Sequence, residues 1–113
     1  MASLWFVRDA DTLLEVTVTE RGLRLEGEID ASSVGLLAER LDPLPSGSGD
    51  IELELGEVTF VDSSGLRVLI DAHLRATTVD RTVVMANPSS AVRRLFDISG
   101  LGDHLVIRPP TDA

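Results

Sequence analysis

Val58-Thr59-Phe60-Val61-Asp62-Ser63-Ser64-Gly65-Leu66 joins a β-rich apolar run directly to the start of a helical pattern. Two hydroxyls and a carboxylate therefore stand where a helix begins. Ser and Asp are favoured there because a side-chain oxygen accepts a hydrogen bond from an orphan backbone N–H. The positive end of the helix dipole also welcomes negative charge. A phosphoryl group added to such a serine would be accommodated locally, at an exposed place. Most Ser and Asp residues at helix starts are only caps, so the rest of the chain has to decide between cap and switch.

Upstream, Ile51, Leu53 and Leu55 alternate with Glu52 and Glu54, the period-two pattern of a half-buried strand. The loop Ser46-Gly47-Ser48-Gly49-Asp50 follows Pro43 and Pro45, which stop a preceding helix. That helix carries Val34, Leu37, Ala38 and Leu41 on one stripe, with Asp30 or Ser32 as its cap. Earlier still, Leu14, Val16 and Val18 alternate with polar residues, as do Leu23, Leu25, Gly27 and Ile29. Glu20-Arg21-Gly22 supplies the turn of a hairpin between them. Leu4-Trp5-Phe6-Val7 reads as a short first strand.

Downstream of Gly65, Leu66, Leu69, Ile70 and Leu74 form the apolar side of a second helix. Thr82-Val83-Val84-Met85-Ala86 reads as a buried strand. Asn87-Pro88-Ser89 then opens a third helix through Ala91, Val92, Leu95 and Phe96, which Gly100 ends. Leu105-Val106-Ile107 is a last strand, and residues 108–113 are expected to form a mobile tail. An antiparallel hairpin followed by alternating helices and strands predicts an α/β fold. We expect one domain over residues 1–113, with a mixed sheet of four to six strands and three to four helices. The alternating Glu residues predict that one sheet face stays partly open to water.

Composition narrows the function. The chain has 113 residues, an apolar fraction of 43% and a charged fraction of 26%, ordinary for a folded domain. The net charge of −9 argues against nucleic acid and against an anionic membrane surface as partners. Without cysteine, and with only His73 and His104, neither thiolate chemistry nor a metal site is expected. No cofactor is expected either. Met1-Ala2-Ser3-Leu4 lacks the basic region and long apolar run of a secretion signal, so a cytoplasmic protein is expected.

Three segments carry a resemblance: Gly27-Glu28-Ile29-Asp30, Val58 to Leu66, and Ala91-Val92-Arg93-Arg94-Leu95-Phe96-Asp97-Ile98-Ser99-Gly100-Leu101. Together, in this order and spacing, the chain resembles a STAS domain of the bacterial anti-sigma factor antagonist family. The resemblance implies phosphorylation at Ser63, the serine directly after the Asp. It implies binding to an anti-sigma factor with serine-kinase activity when Ser63 is unmodified, and release once Ser63 is phosphorylated. A phosphatase then restores the binding form, and transcription by the freed sigma factor is the regulated output.

The partner surface is expected at Asp30, Asp62, Ser63, Ser64, Gly65 and Arg67. Several of these have a second reading. Asp30 and Asp62 serve as helix caps, Ser64 satisfies a local backbone group, and Gly65 either lets a partner backbone approach or relieves crowding. Exposed arginines such as Arg67 and Arg75 are commonly just solvated. Two other functions compete. One is a STAS module without phosphorylation, acting as a scaffold or as an accessory subunit of a signalling or transport complex. The other is a serine-nucleophile enzyme using Ser63 or Ser64 with His104. It is disfavoured because the serine lies outside a Gly-x-Ser-x-Gly elbow, so the chain is not expected to be an enzyme.

Overall fold

Period-two alternation in the N-terminal half builds the first part of the sheet. In the computed structural model, which describes the backbone of residues 4–6 and all of residues 13–109, six strands lie in sequence order across one sheet. They are β1 (Leu4–Phe6), β2 (Leu14–Val18), β3 (Gly22–Ile29), β4 (Ile51–Val61), β5 (Val83–Ala86) and β6 (Val106–Arg108). The pairs β1–β2 and β2–β3 are antiparallel, and β3 to β6 run parallel. Each parallel step needs a crossover. The crossovers are α1 (Val34–Leu41), α2 (Ser63–Thr77) and α3 (Ser90–Ser99), the last followed by a 3₁₀ turn at Gly102–His104. The mixed α/β sheet with three helices agrees with the expectation.

Alternation decides which face is dry. Leu14, Val16, Leu23, Leu25 and Ile29 point into one hydrophobic core with Leu53, Leu55, Leu69, Met85 and Phe96. Their neighbours Glu15, Thr17, Arg24, Glu26 and Glu28 remain half-buried or exposed, so the opposite face meets water. Helices α1 and α2 pack on each other, α2 reaches β4 and β5, and α3 lies against β4. Two apolar residues depart from the sequence reading. Val18, at the end of β2, is 48% exposed, and Leu74 on α2 is 55% exposed. The inner side of that helix turn is filled by Ala72 and Ala76 instead, because small residues let a helix sit close on a sheet.

The two runs Ile51–Leu55 and Val58–Val61 belong to one strand. Their alternation breaks because β4 has more residues than its partner. Arg24 and Glu26 pair with Glu54 and Glu57, and Gly27 and Glu28 pair with Val58 and Phe60. Each step adds a bulged residue to β4. Helix α3 begins as expected: the Ser89 hydroxyl accepts from the Val92 N–H at 3.3 Å. It also donates to the Val58 carbonyl at 2.5 Å, fixing the helix start against β4. Gly100 ends α3 at φ 72°, a left-handed conformation that favours glycine.

Helix α1 corrects the capping assignment. It starts after Ser33, and neither Asp30 nor Ser32 is its N-cap residue. The Asp30 carbonyl accepts from the N–H groups of Ser33 and Val34, so Asp30 heads the turn before the helix. The Ser33 side chain is fully buried, donating to the Glu28 carbonyl at 2.7 Å and accepting from the Asp30 N–H at 3.0 Å.

The last strand also reaches one residue further than expected. Arg108 lies in β6, and its guanidinium grips Glu52 of β4 with two hydrogen bonds, of 3.1 and 2.7 Å. Arg21 adds a third at 3.2 Å. Arg108, counted in the expected tail, thus belongs to the sheet; residues 110–113 of that tail, like Val7 of the expected first strand, lie outside the described residues. The Arg108 guanidinium, with help from Arg21, pulls the Glu52 carboxyl from 4.5 down to about 2.

A carboxylate depressed in the folded state stabilises the fold above its ordinary range, and the gain disappears as pH falls through the folded value. The full shift would amount to roughly 3 kcal/mol at 1.36 kcal/mol per unit. Arg108 is half-exposed and Arg21 largely exposed, so solvent screens both and about 1–2 kcal/mol is expected. Urea unfolding of Glu52→Gln should show that deficit at pH 7, and the gap to the parent should close between about pH 4.5 and 2.

Candidate functional site

β3 and β4 end side by side. Ile29 is in register with Val61, and the Asp62 N–H donates to the Ile29 carbonyl at 3.1 Å. Asp30 and Asp62 therefore leave neighbouring parallel strands at the same level. This is the carboxyl end of the parallel strands, where α/β sheets commonly place their sites.

The two strand ends use the same local device. Asp30 Oδ1 accepts from the Ser32 N–H at 3.0 Å and from the Ser32 hydroxyl at 2.7 Å. Asp62 Oδ1 accepts from the Ser64 N–H at 3.0 Å and from the Ser64 hydroxyl at 2.5 Å. In each case an Asp bonds the backbone and side chain of the serine two residues on. The residue between them is lifted outward: Ala31 in the first turn and Ser63 in the second, both exposed. The bond from the Ser32 hydroxyl is the leading cause that holds the Asp30 carboxyl below its ordinary range.

Asp62 is the N-cap of α2. Besides the Ser64 N–H it takes the Gly65 N–H at 3.2 Å, and its backbone carbonyl accepts the first helical bond, from Leu66, at 3.1 Å. Asp62 thereby satisfies two orphan donors and holds the Ser64 hydroxyl. That hydroxyl is bound to a carboxylate rather than to a backbone group, which refines its structural reading. Ser63 differs. It is the first residue of α2, and its hydroxyl has no hydrogen-bond partner among the described residues.

Gly65 is buried, and its role is packing. A Cβ placed there would lie 2.5 Å from Ile29 Cγ2 and 2.9 Å from Val61 Cγ2. Of its two readings, the relief of crowding fits the geometry, because its missing side chain faces the core and not the surface. Both contacts are with well-buried branched side chains at the strand ends, so neither can move freely. Gly65→Ala should therefore cost about 1–3 kcal/mol. Its thermal midpoint should fall by several degrees, roughly 4–8 °C per kcal/mol at this size.

Arg67 is exposed one turn into α2. Phe60, 47% exposed, lines a groove with Val61, Arg94, Leu95 and Ile98, and this groove runs up to the end of β4 beside Asp62. Sequence reading did not assign Phe60 to the site. Its only signal was the broken alternation, since Val58 is buried whereas Phe60 is not. Among the described residues, neither His73 nor His104 bonds either serine hydroxyl, so no serine–histidine pair is assembled here. No helix among the described residues is long and apolar enough to cross a membrane.

Comparison with known proteins follows the same outline. A family model described as "Mlab, STAS domain" matches residues 14–108. The anti-sigma-B factor antagonist of Bacillus subtilis (strain 168) is 35% identical over 81 residues, covering 72% of this chain and 74% of that protein. The protein of the same name from Staphylococcus epidermidis is 30% identical over 91 residues, covering 80% and 84%. Among solved structures, the unphosphorylated anti-sigma factor antagonist SpoIIAA superposes with a TM-score of 0.63 at 24% identity, over 88% of this chain and 89% of that one. The tm1081 protein of Thermotoga maritima gives 0.68 at 16% identity, over 86% of each. At those identities the two structures speak for the fold.

Proposed function

The chain belongs to the STAS domain family, and on that premise we propose that it is an anti-sigma factor antagonist switched by phosphorylation of Ser63. Its role is binding, not catalysis. With Ser63 unmodified it holds an anti-sigma factor that is also a serine kinase, and the sigma factor is set free in the cytoplasm. Phosphorylation releases the anti-sigma factor, and a phosphatase resets the switch.

One observation carries the choice of acceptor. Asp62 caps α2 and binds the Ser64 hydroxyl, leaving the Ser63 hydroxyl exposed and uncommitted. A kinase needs a hydroxyl that can enter its site without dismantling a helix start, and Ser63 meets that need better than Ser64. The partner surface in this reading comprises Asp30, Asp62, Ser63, Ser64 and Arg67 around the two strand ends. Gly65 sets the height of the helix start from below. Incubating the chain with an anti-sigma kinase and ATP, then mapping the phosphate by mass spectrometry, tests the assignment. Phosphate on Ser63 alone is expected; phosphate confined to Ser64 or absent altogether would overturn it.

A further inference from the structure

Helix α2 carries one basic side chain placed to meet a phosphate on its own first residue. Arg67 stands four positions after Ser63, and residues so spaced lie one above the other on a helix face, with Cβ atoms about 5–6 Å apart. Side chains on a helix lean toward its N-terminus, so the Arg67 stem leads back to the first turn. Arg67 is exposed and forms no ion pair among the described residues, whereas Arg21, Arg24, Arg75 and Arg108 each do. The acid one turn further along the same face is Asp71, and an acid following its cation at this spacing is the weaker order. A phosphate at position 63 precedes Arg67 and has the favoured order. The planar guanidinium also matches two phosphate oxygens at once.

We propose that Arg67 clasps the phosphoryl group of phosphorylated Ser63, forming an ion pair within α2. The proposal rests on the reading of Ser63 as the phosphoacceptor. The clasp has a consequence for the switch: phosphorylation adds an anion to the binding surface and at the same time withdraws a cation from it. The other charged groups around the site oppose or compete with Arg67. Asp62 directly precedes the phosphate and Asp30 sits at the adjoining strand end, both repelling it. Arg94 of α3, which shares the groove with Val61, is the rival cation.

Phosphoserine can be installed at position 63 during synthesis, so the measurement does not depend on any kinase. The second ionisation of the phosphoserine is then followed by phosphorus NMR in the full chain. Arg67→Gln should raise that pKa by about 0.3 unit, the size of an i,i+4 ion pair expressed as a proton equilibrium. Arg67→Lys should restore at least half of the shift, and Arg94→Gln should leave the pKa within 0.1 unit, an order-of-magnitude bound on a cation lying off the helix face. Equal values in the parent and Arg67→Gln would overturn the clasp. So would an equal or larger rise in Arg94→Gln. If no kinase modifies Ser63, the functional reading fails while this titration still decides the fate of Arg67.

Discussion

Ser63→Ala is expected to abolish kinase-dependent phosphorylation and to bind the anti-sigma partner constitutively. Its fold should be intact. The helix cap is the Asp62 carboxylate, which holds the Ser64 and Gly65 N–H groups, and the Ser63 hydroxyl takes no part in it. Replacing an exposed, uncommitted hydroxyl should therefore change stability by no more than about 0.5 kcal/mol. The sequence by itself left room for Ser63 as the cap, in which case the same substitution would have cost about 1 kcal/mol. Intact-mass analysis after incubation with kinase and ATP checks the first part, and a thermal melt checks the second. Phosphate appearing on Ser64 in this variant at the parent's rate would mean that the bond to Asp62 does not protect that hydroxyl.

Ser63→Glu should separate the two ways in which a phosphate could act. A negative group at the start of α2 lies at the positive end of the helix dipole, which favours it by about 0.3–1 kcal/mol. The melting temperature should thus stay level or rise slightly. Partner binding should fall instead, because the carboxylate enters a fitted surface that was formed around a neutral hydroxyl. An uncompensated charge buried in an interface costs on the order of 3 kcal/mol, about a hundredfold in affinity. A carboxylate carries less charge than phosphate, so this variant sets the lower bound of the effect. A sharp fall in melting temperature would show that charge at position 63 acts by disordering the helix start.

Much of this arrangement could be read from the residues. Leu14, Val16, Leu23 and Leu25 alternate with polar partners and are buried as that pattern requires. Ser89 and Gly100 bound α3 at the positions that cap chemistry assigns to them. The passage from β4 into α2 was legible because an apolar strand ends in Asp-Ser-Ser-Gly with no intervening loop.

What escaped the sequence depends on contacts between distant segments. The continuity of β4 was hidden because its two bulges break the alternation around Gly56 and between Val58 and Phe60. Leu74 read as core because the stripe was drawn through large side chains, while Ala72 and Ala76 hold the interior positions. Asp30-Ala31-Ser32 and Asp62-Ser63-Ser64 are similar in sequence, yet their likeness acquires meaning only once β3 and β4 end at the same level. It then explains why the middle residue of each stands outward. The buried hydroxyl of Ser33, spanning Glu28 and Asp30, had no local signal at all.

The most direct test is a calorimetric titration of the anti-sigma partner with two preparations of this chain, one unmodified and one quantitatively phosphorylated at Ser63. The account predicts a stable complex with the unmodified chain and an affinity at least about a hundredfold lower for the phosphorylated one, with both preparations folded. Equal affinity in the two preparations would contradict it.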